Sequence, residues 1–222
     1  MLDELTPGIW RWSAPHPEWR PRHPWGREVA SFAVAAGRDL VLIDPMPPDW
    51  EELDALVKRI GARSLAIFIT IHYHVRATAL VYERYGADLE VSVHAHRSVA
   101  ARLGPGVPMR PIEPGASLPL GVQAAPIGSP RRREMPLYLP FADALAFGDA
   151  VVGVDGELRV WEEIEDAKRR DWYERRFLPT LHPLLDLDAE HVLVTHGPPV
   201  IGGGGAALEK ALEAPPWSMR LG

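Results

Sequence analysis

Residues 64–70 read SLAIFIT. A run this apolar, with helix-compatible sequence before and after it, is how a strand buried on both faces looks, and such a strand needs a sheet covered on both sides. The upstream helix is legible in detail. Asp49 stands at its cap with Glu52 placed to reach back, Leu53, Leu56, Val57 and Ile60 recur at helical spacing, and Gly61 stops it. EVSVHA, residues 90–95, repeats the strand pattern.

The remaining segments organise around this centre. GIWRW alternates, and EVASFAVAAG and DLVLID read as two strands joined at Gly37 and Arg38. From about residue 104 to 160 the chain is rich in Pro and Gly, with short β-like pieces: VQAAPI, PLYLP, ALAFGD and VVGVDG. A polar and aromatic helix over roughly 164–178 leads to HVLVTHGPPV, and AALEKALEA closes the pattern as a helix. Two halves that each mix strands with covering helices predict two sheets packed face to face between outer helices, in one domain spanning 1–222.

Composition narrows the function classes. A net charge of −6 argues against a general nucleic-acid binder, because neutralising phosphates needs a basic surface. Only Lys58, Lys168 and Lys210 stand among 24 basic residues, so arginine dominates, as the codon bias of a GC-rich genome produces. Apolar runs such as LAIFITI are too short to span a bilayer, and MLDELTPGIW has neither a basic nor an apolar leader region. A cytoplasmic protein with no membrane partner is the expectation. The absence of cysteine removes thiolate nucleophiles and ligands, so any metal would rest on His and carboxylates.

Four residues stand out together: His72 and His74 after the buried strand, Asp149 in AFGDAV, and His196 in LVTHGPP. Each lies just past an apolar β run, where side chains from separate strands converge on one edge. The order H-x-H, then G-D, then H-G-P, after a hairpin ending in LVLIDP, resembles the metallo-β-lactamase superfamily over nearly the whole chain. The resemblance implies an αβ/βα sandwich with the site on one edge. It also implies that the strand end carries T-H-x-H-x-D-H, that a third His follows in P-G-H, and that the G-D aspartate bridges two metals. Asp44 matches an aspartate that supports such a site from behind.

This chain departs from that pattern. Arg76 stands where the Asp belongs, Ala77 replaces the next His, and Ser129 falls at the third His. The first metal position keeps His72, His74 and a share of Asp149, a two-His, one-carboxylate set that can hold a divalent ion with water completing the shell. The second keeps only Asp149 and His196, so a two-metal mechanism is not expected. Arg76 carries a permanent charge and, pointing inward, would pair with Asp149 in place of the second ion. At an effective dielectric near 20, unit charges 4 Å apart interact by about 4 kcal/mol, so a dication beside Arg76 meets roughly twice that repulsion, partly offset by Asp149. The expectation is a site with no cofactor or with one weakly held divalent metal, zinc, iron or manganese.

Lesser features complete the reading. Residues 10–25, WRWSAPHPEWRPRHPW, form an irregular connection that either overhangs the site as a lid or packs on the body of the fold. His94 and His96 read as core or cap residues of a short helix start, and PRRRE, residues 130–134, reads as a solvated charge run although it follows Ser129, where cations or the serine would meet an anionic ligand. His16, His23, His182 and His191 receive no role. Three functions follow: a catalytically reduced relative that binds a small-molecule ligand in the remnant cleft, with Asp149 and His196 as surviving catalytic groups; a mononuclear hydrolase of esters, thioesters, lactones or phosphoesters; and a scaffold protein presenting the Trp-rich loop.

Overall fold

The structure is a computed structural model that describes every residue except 17, 22, 24, 48, 114, 115 and 219–222. The first half is built on β1 (Asp3–Thr6), β2 (Ile9–Pro15), β3 (Glu28–Ala36) and β4 (Asp39–Ile43), then α1 (Trp50–Ile60), β5 (Ser64–Ile69), α2 (Thr78–Tyr85), β6 (Glu90–Ala95), α3 (Ala100–Leu103) and β7 (Met109–Pro111). These seven strands form one sheet in sequence order, antiparallel through β4 and parallel from β4 to β7. The hairpin between β3 and β4 turns at Gly37 and Arg38, with Ala36 paired to Asp39.

The second half carries β8 (Gln123–Ala124), β9 (Leu137–Leu139), β10 (Ala144–Phe147), β11 (Val151–Val154), β12 (Glu157–Val160), α4 (Ala167–Trp172), β13 (His191–Val194), β14 (Val200–Ile201) and α5 (Gly204–Glu213). Among the described residues a second sheet has the order β14, β13, β10, β9, β8, and β11 pairs with β12 as a separate ribbon. β10 and β13 run parallel, Phe147 opposite Val194.

β5 explains the layering. Ala66 and Phe68 face the second sheet, where they meet Leu137, Leu139, Ala146 and Leu193. Leu65, Ile67 and Ile69 face the other way, against Leu53 and Leu56 of α1 and Val81 and Tyr85 of α2. On the far side of the second sheet, Leu145, Phe147, Val192 and Val194 pack on Leu208, Ala211 and Leu212 of α5 and on Tyr173 and Phe177. The result is the expected four-layer αβ/βα sandwich.

Some local expectations change. Asp49 caps α1 by accepting from the N–H groups of Glu51 and Glu52, and Gly61 closes it in the left-handed conformation. Glu52, however, accepts from Leu2 N at 2.6 Å instead of reaching back to the cap. The stretch 10–25 is irregular only after Pro15, because residues 9–15 pair with β3. The long helix over 164–178 is one short α-turn followed by irregular helical turns. Among the described residues, no helix is long and apolar enough to cross a membrane.

Candidate metal centre and cleft

Strand register builds the site. Because Phe147 and Val194 are paired at the ends of parallel strands, Asp149 and His196, each two residues further on, leave the sheet side by side. The chain after β5 reaches them from the other sheet. Ile71 bridges to Glu134, and Met135 donates to Thr70 O at 2.7 Å, so the two sheets are joined where residues 72–77 turn over the edge. His74 Nε2 and His196 Nε2 each lie 3.4 Å from Asp149 Oδ1. One ligand atom from each of these residues falls within 4.8 Å of the others.

Partners fix these groups. Asp44 accepts from Thr70 N at 2.8 Å and from the Thr70 hydroxyl, and its Oδ2 lies 2.9 Å from His74 Nδ1. That contact holds the Nδ1–H tautomer and turns Nε2 toward Asp149, the arrangement that orients metal-binding histidines. The Tyr73 hydroxyl donates to Asp149 Oδ2 at 2.5 Å, leaving Oδ1 toward the histidines with no hydrogen-bond donor. Behind Asp149, Glu134 Oε1 accepts from the N–H groups of Gly148, Asp149 and Ala150, each at 3.0 Å. Gly148 is needed for this approach, since a Cβ there would meet Thr70 Oγ1 at 2.7 Å and the Glu134 carboxyl at 3.3 Å.

Electrostatics follow from burial and pairing. Burial and Arg76 pull the His74 pKa down, but Asp44 and Asp149 outweigh them and leave it raised. For Asp149 burial pushes upward, and His74 and His196 overcome it and hold the carboxyl well below its usual range. Burial, helped by Asp149 and opposed by Arg131, pushes Glu134 up to about 7. Burial raises the Tyr73 phenol beyond any working pH, so it stays a donor.

Of the expected ligands, His74, Asp149 and His196 come together, and His72 does not join them. The Tyr73 ring meets both histidine rings edge-on, at 4.7 Å from His72 and 5.2 Å from His74, and stands between them. Arg76 points inward, but its hydrogen bonds differ from the expected pairing with Asp149: Nη1 donates to Ala30 O and Asp44 O, both at 2.8 Å. Its Nε and Nη2 are buried and unpartnered, and its charge acts on Asp44 and Asp149 through space. Ser129 is exposed and lines neither cleft pocket. Asp44 takes the supporting place the sequence suggests.

A pocket of about 220 Å³ opens on the cluster, lined by His16, Trp25, Tyr73, Arg76 and Trp161 among others. The Trp25 and Trp161 rings pack T-shaped with the His196 ring, centroids 5.7 and 5.8 Å apart, so the connection after β2 brings Trp25 over the site. Tyr73, Trp161 and Glu134 are site residues that sequence reasoning misses. For Tyr73 the available signal is its place inside the histidine motif; Glu134 was hidden in a charge run that reads as solvated yet has a fully buried carboxylate. His94 is a core residue stacked on Phe68, and His96 caps the turn before α3 by accepting from Ser98 N.

The donor set suits one ion. Donors ~2.1 Å from a tetrahedral zinc lie ~3.4 Å from one another, which matches both Asp149 edges. The oxygen at their centre lacks any donor. Among the described residues, His74, Asp149 and His196 are the group of three such side chains that gathers closely enough to hold an ion.

No family model and no curated protein matches this chain. Solved structures do. DIM-1 metallo-beta-lactamase matches with a TM-score of 0.64 at 16% identity, over 96% of this chain and 94% of that one. A metallo-beta-lactamase from Pontibacter korlensis gives 0.63 at 17%, over 96% of each. A metallo-beta-lactamase family protein from Thermus thermophilus gives 0.58 at 17%, over 93% of this chain and 79% of that one. Identities this low speak for architecture alone, and on architecture they agree with the layers described above: the chain has the metallo-β-lactamase fold.

Proposed function

We propose that this protein is a reduced, one-ion hydrolase of the metallo-β-lactamase fold, in which His74, Asp149 and His196 hold a single divalent cation. The carrying observation is the approach of two imidazole nitrogens to one donor-free carboxylate oxygen at 3.4 Å. The bound cation would lower the pKa of a coordinated water and polarise the carbonyl or phosphoryl group of an ester, thioester, lactone or phosphoester. The protein's own residues do the rest. Asp44 keeps the His74 proton on Nδ1, Tyr73 holds Asp149 in orientation, and Trp25 and Trp161 wall the pocket that opens on the cluster. Tyr73 stays protonated and keeps its one hydroxyl proton on Asp149 Oδ2.

Arg76 favours a second reading, a metal-free cleft that binds a small molecule. Its buried guanidinium lies close enough to depress the His74 pKa, and a dication would be repelled by it. Metal analysis of protein purified without chelators separates the two. The first reading expects about one equivalent of zinc, iron or manganese per chain, lost in His74→Ala and His196→Ala and kept in His72→Ala. Failure to take up metal even in excess would leave the second.

A further inference from the structure

We infer that the pocket next to the His74, Asp149 and His196 cluster is an anion subsite that receives a phosphate group. It has a volume of about 450 Å³ and is lined by His72, Arg131, Arg132 and Arg133 together with Tyr73 and Trp161. Tyr73 and Trp161 also line the cluster's own pocket, so one ligand can occupy both.

The basic groups are held for this or left free for it. Arg131 is fixed: its guanidinium lies 5.1 Å from the centre of the Trp161 ring, and Nη2 donates to Trp161 O at 2.9 Å. Its Nε is buried without a partner. Arg132 and Arg133 are exposed and make no hydrogen bond or ion pair with the described residues. His72 Nδ1 is buried and unpartnered as well, although His72 sits in a motif that would ordinarily occupy it. Buried polar nitrogens are nearly always satisfied, and these two belong to residues that line the pocket.

Of the carboxylates nearby, Glu134 offsets part of the Arg131 charge, its Oε2 lying 4.0 Å from Nη1, while Glu162 and Glu163 are engaged away from the arginines. Glu162 is taken by Arg169, whose Nε donates to it at 3.0 Å. Glu163 accepts from the Ser218 hydroxyl at 2.6 Å. Three guanidinium groups offer more donors than a carboxylate's two oxygens can use, and match the three oxygens of a phosphate. In a protein of net charge −6 such a basic wall is a local reversal of sign. Resting on the proposed hydrolase, the inference narrows its substrates to phosphate-bearing esters or thioesters whose reacting bond lies past Tyr73, at the cluster.

The test is calorimetric titration with inorganic phosphate at low salt. The wild type should bind. Arg132→Ala with Arg133→Ala, and His72→Ala alone, should each weaken binding by about tenfold or more, with His72→Ala keeping its metal. His74→Ala should lose metal yet bind phosphate within about twofold of wild type, and so should a control that removes two charges near α1, Arg59→Ala with Arg63→Ala. No binding by the wild type, or an equal loss in the control or in His74→Ala, overturns the subsite. A chain that binds phosphate in this pattern but takes up no metal refutes the hydrolase and leaves the anion subsite standing.

Discussion

Single atoms decide what the site can hold. Asp44 controls which nitrogen of His74 carries the proton, because Oδ2 lies 2.9 Å from Nδ1. In Asp44→Asn the amide nitrogen can take that place, force Nδ1 to accept, and put the proton on Nε2. We expect Asp44→Asn to stay folded and lose about 10- to 100-fold in metal affinity, read by competition with a chromogenic chelator; unchanged affinity would remove Asp44 from the site. His94 is a different kind of histidine, stacked on Phe68 at 5.0 Å and 4% exposed, with burial and then Arg110 pulling its pKa down to about 4. The unfolded chain titrates this group at its ordinary value and binds the extra proton first as pH falls. Stability is therefore full above about pH 6.5 and lost progressively toward pH 4, by roughly 2 kcal/mol once the partly polar surroundings are discounted. Denaturation midpoints at pH 7.5 and 5 should differ less in His94→Leu than in wild type. At this scale the sequence spoke unevenly. Asp44, His74, Asp149 and His196 were legible because each follows an apolar strand in a known order. His72 reads as a ligand only because spacing along a chain says nothing about which way a turn sends a side chain. Glu134 was illegible because a buried carboxylate that receives three backbone N–H groups looks, in sequence, like any glutamate after three arginines.

Secondary elements carry the site by their ends. β5 is buried on both faces, Phe68 toward one sheet and Ile67 toward the helices, which is why its sequence lacks the alternation of a half-exposed strand. Truncation on either face should therefore hurt: about 3–5 kcal/mol for Phe68→Ala and 2–5 kcal/mol for Ile67→Ala by chemical denaturation. A negligible loss for either would mean that one face is not packed. The β10 and β13 pair sets the His74, Asp149 and His196 cluster more strictly. Gly197 has φ +79°, and a Cβ there would stand 1.9 Å from Gly153 O, while Gly153 N donates to His196 O at 2.8 Å. Gly197→Ala must then displace His196 from Asp149, and its expected signature is loss of metal uptake together with lower stability. Long regular elements such as α1 and β3 to β6 were predictable from periodicity. β7 and the helical turns after α4 were not, because they are short and held by the layers around them more than by their own pattern.

The whole molecule places the candidate ligands on separate supports, and this ties metal binding to stability. His74 follows β5 of the first sheet, whereas Asp149 and His196 follow β10 and β13 of the second. Backbone hydrogen bonds also join the two halves near this edge, among them Met135 N to Thr70 O and Ala30 N to Thr195 O, at 2.7 and 2.8 Å. An ion shared by the three residues would cross-link the sandwich where it opens to solvent and would bind the folded chain far better than the unfolded one. At a free concentration of about 100 times Kd that linkage contributes about 2.7 kcal/mol. For a domain of this size each kcal/mol moves Tm by about 2–4 °C, so added zinc should raise the melting temperature by roughly 5–10 °C and a chelator should reverse it. The variants assign the cause. His196→Ala removes a ligand from one sheet and should abolish the shift, His72→Ala lies outside the cluster and should preserve it, and a shift of equal size in both would show that the ion binds somewhere other than between the sheets.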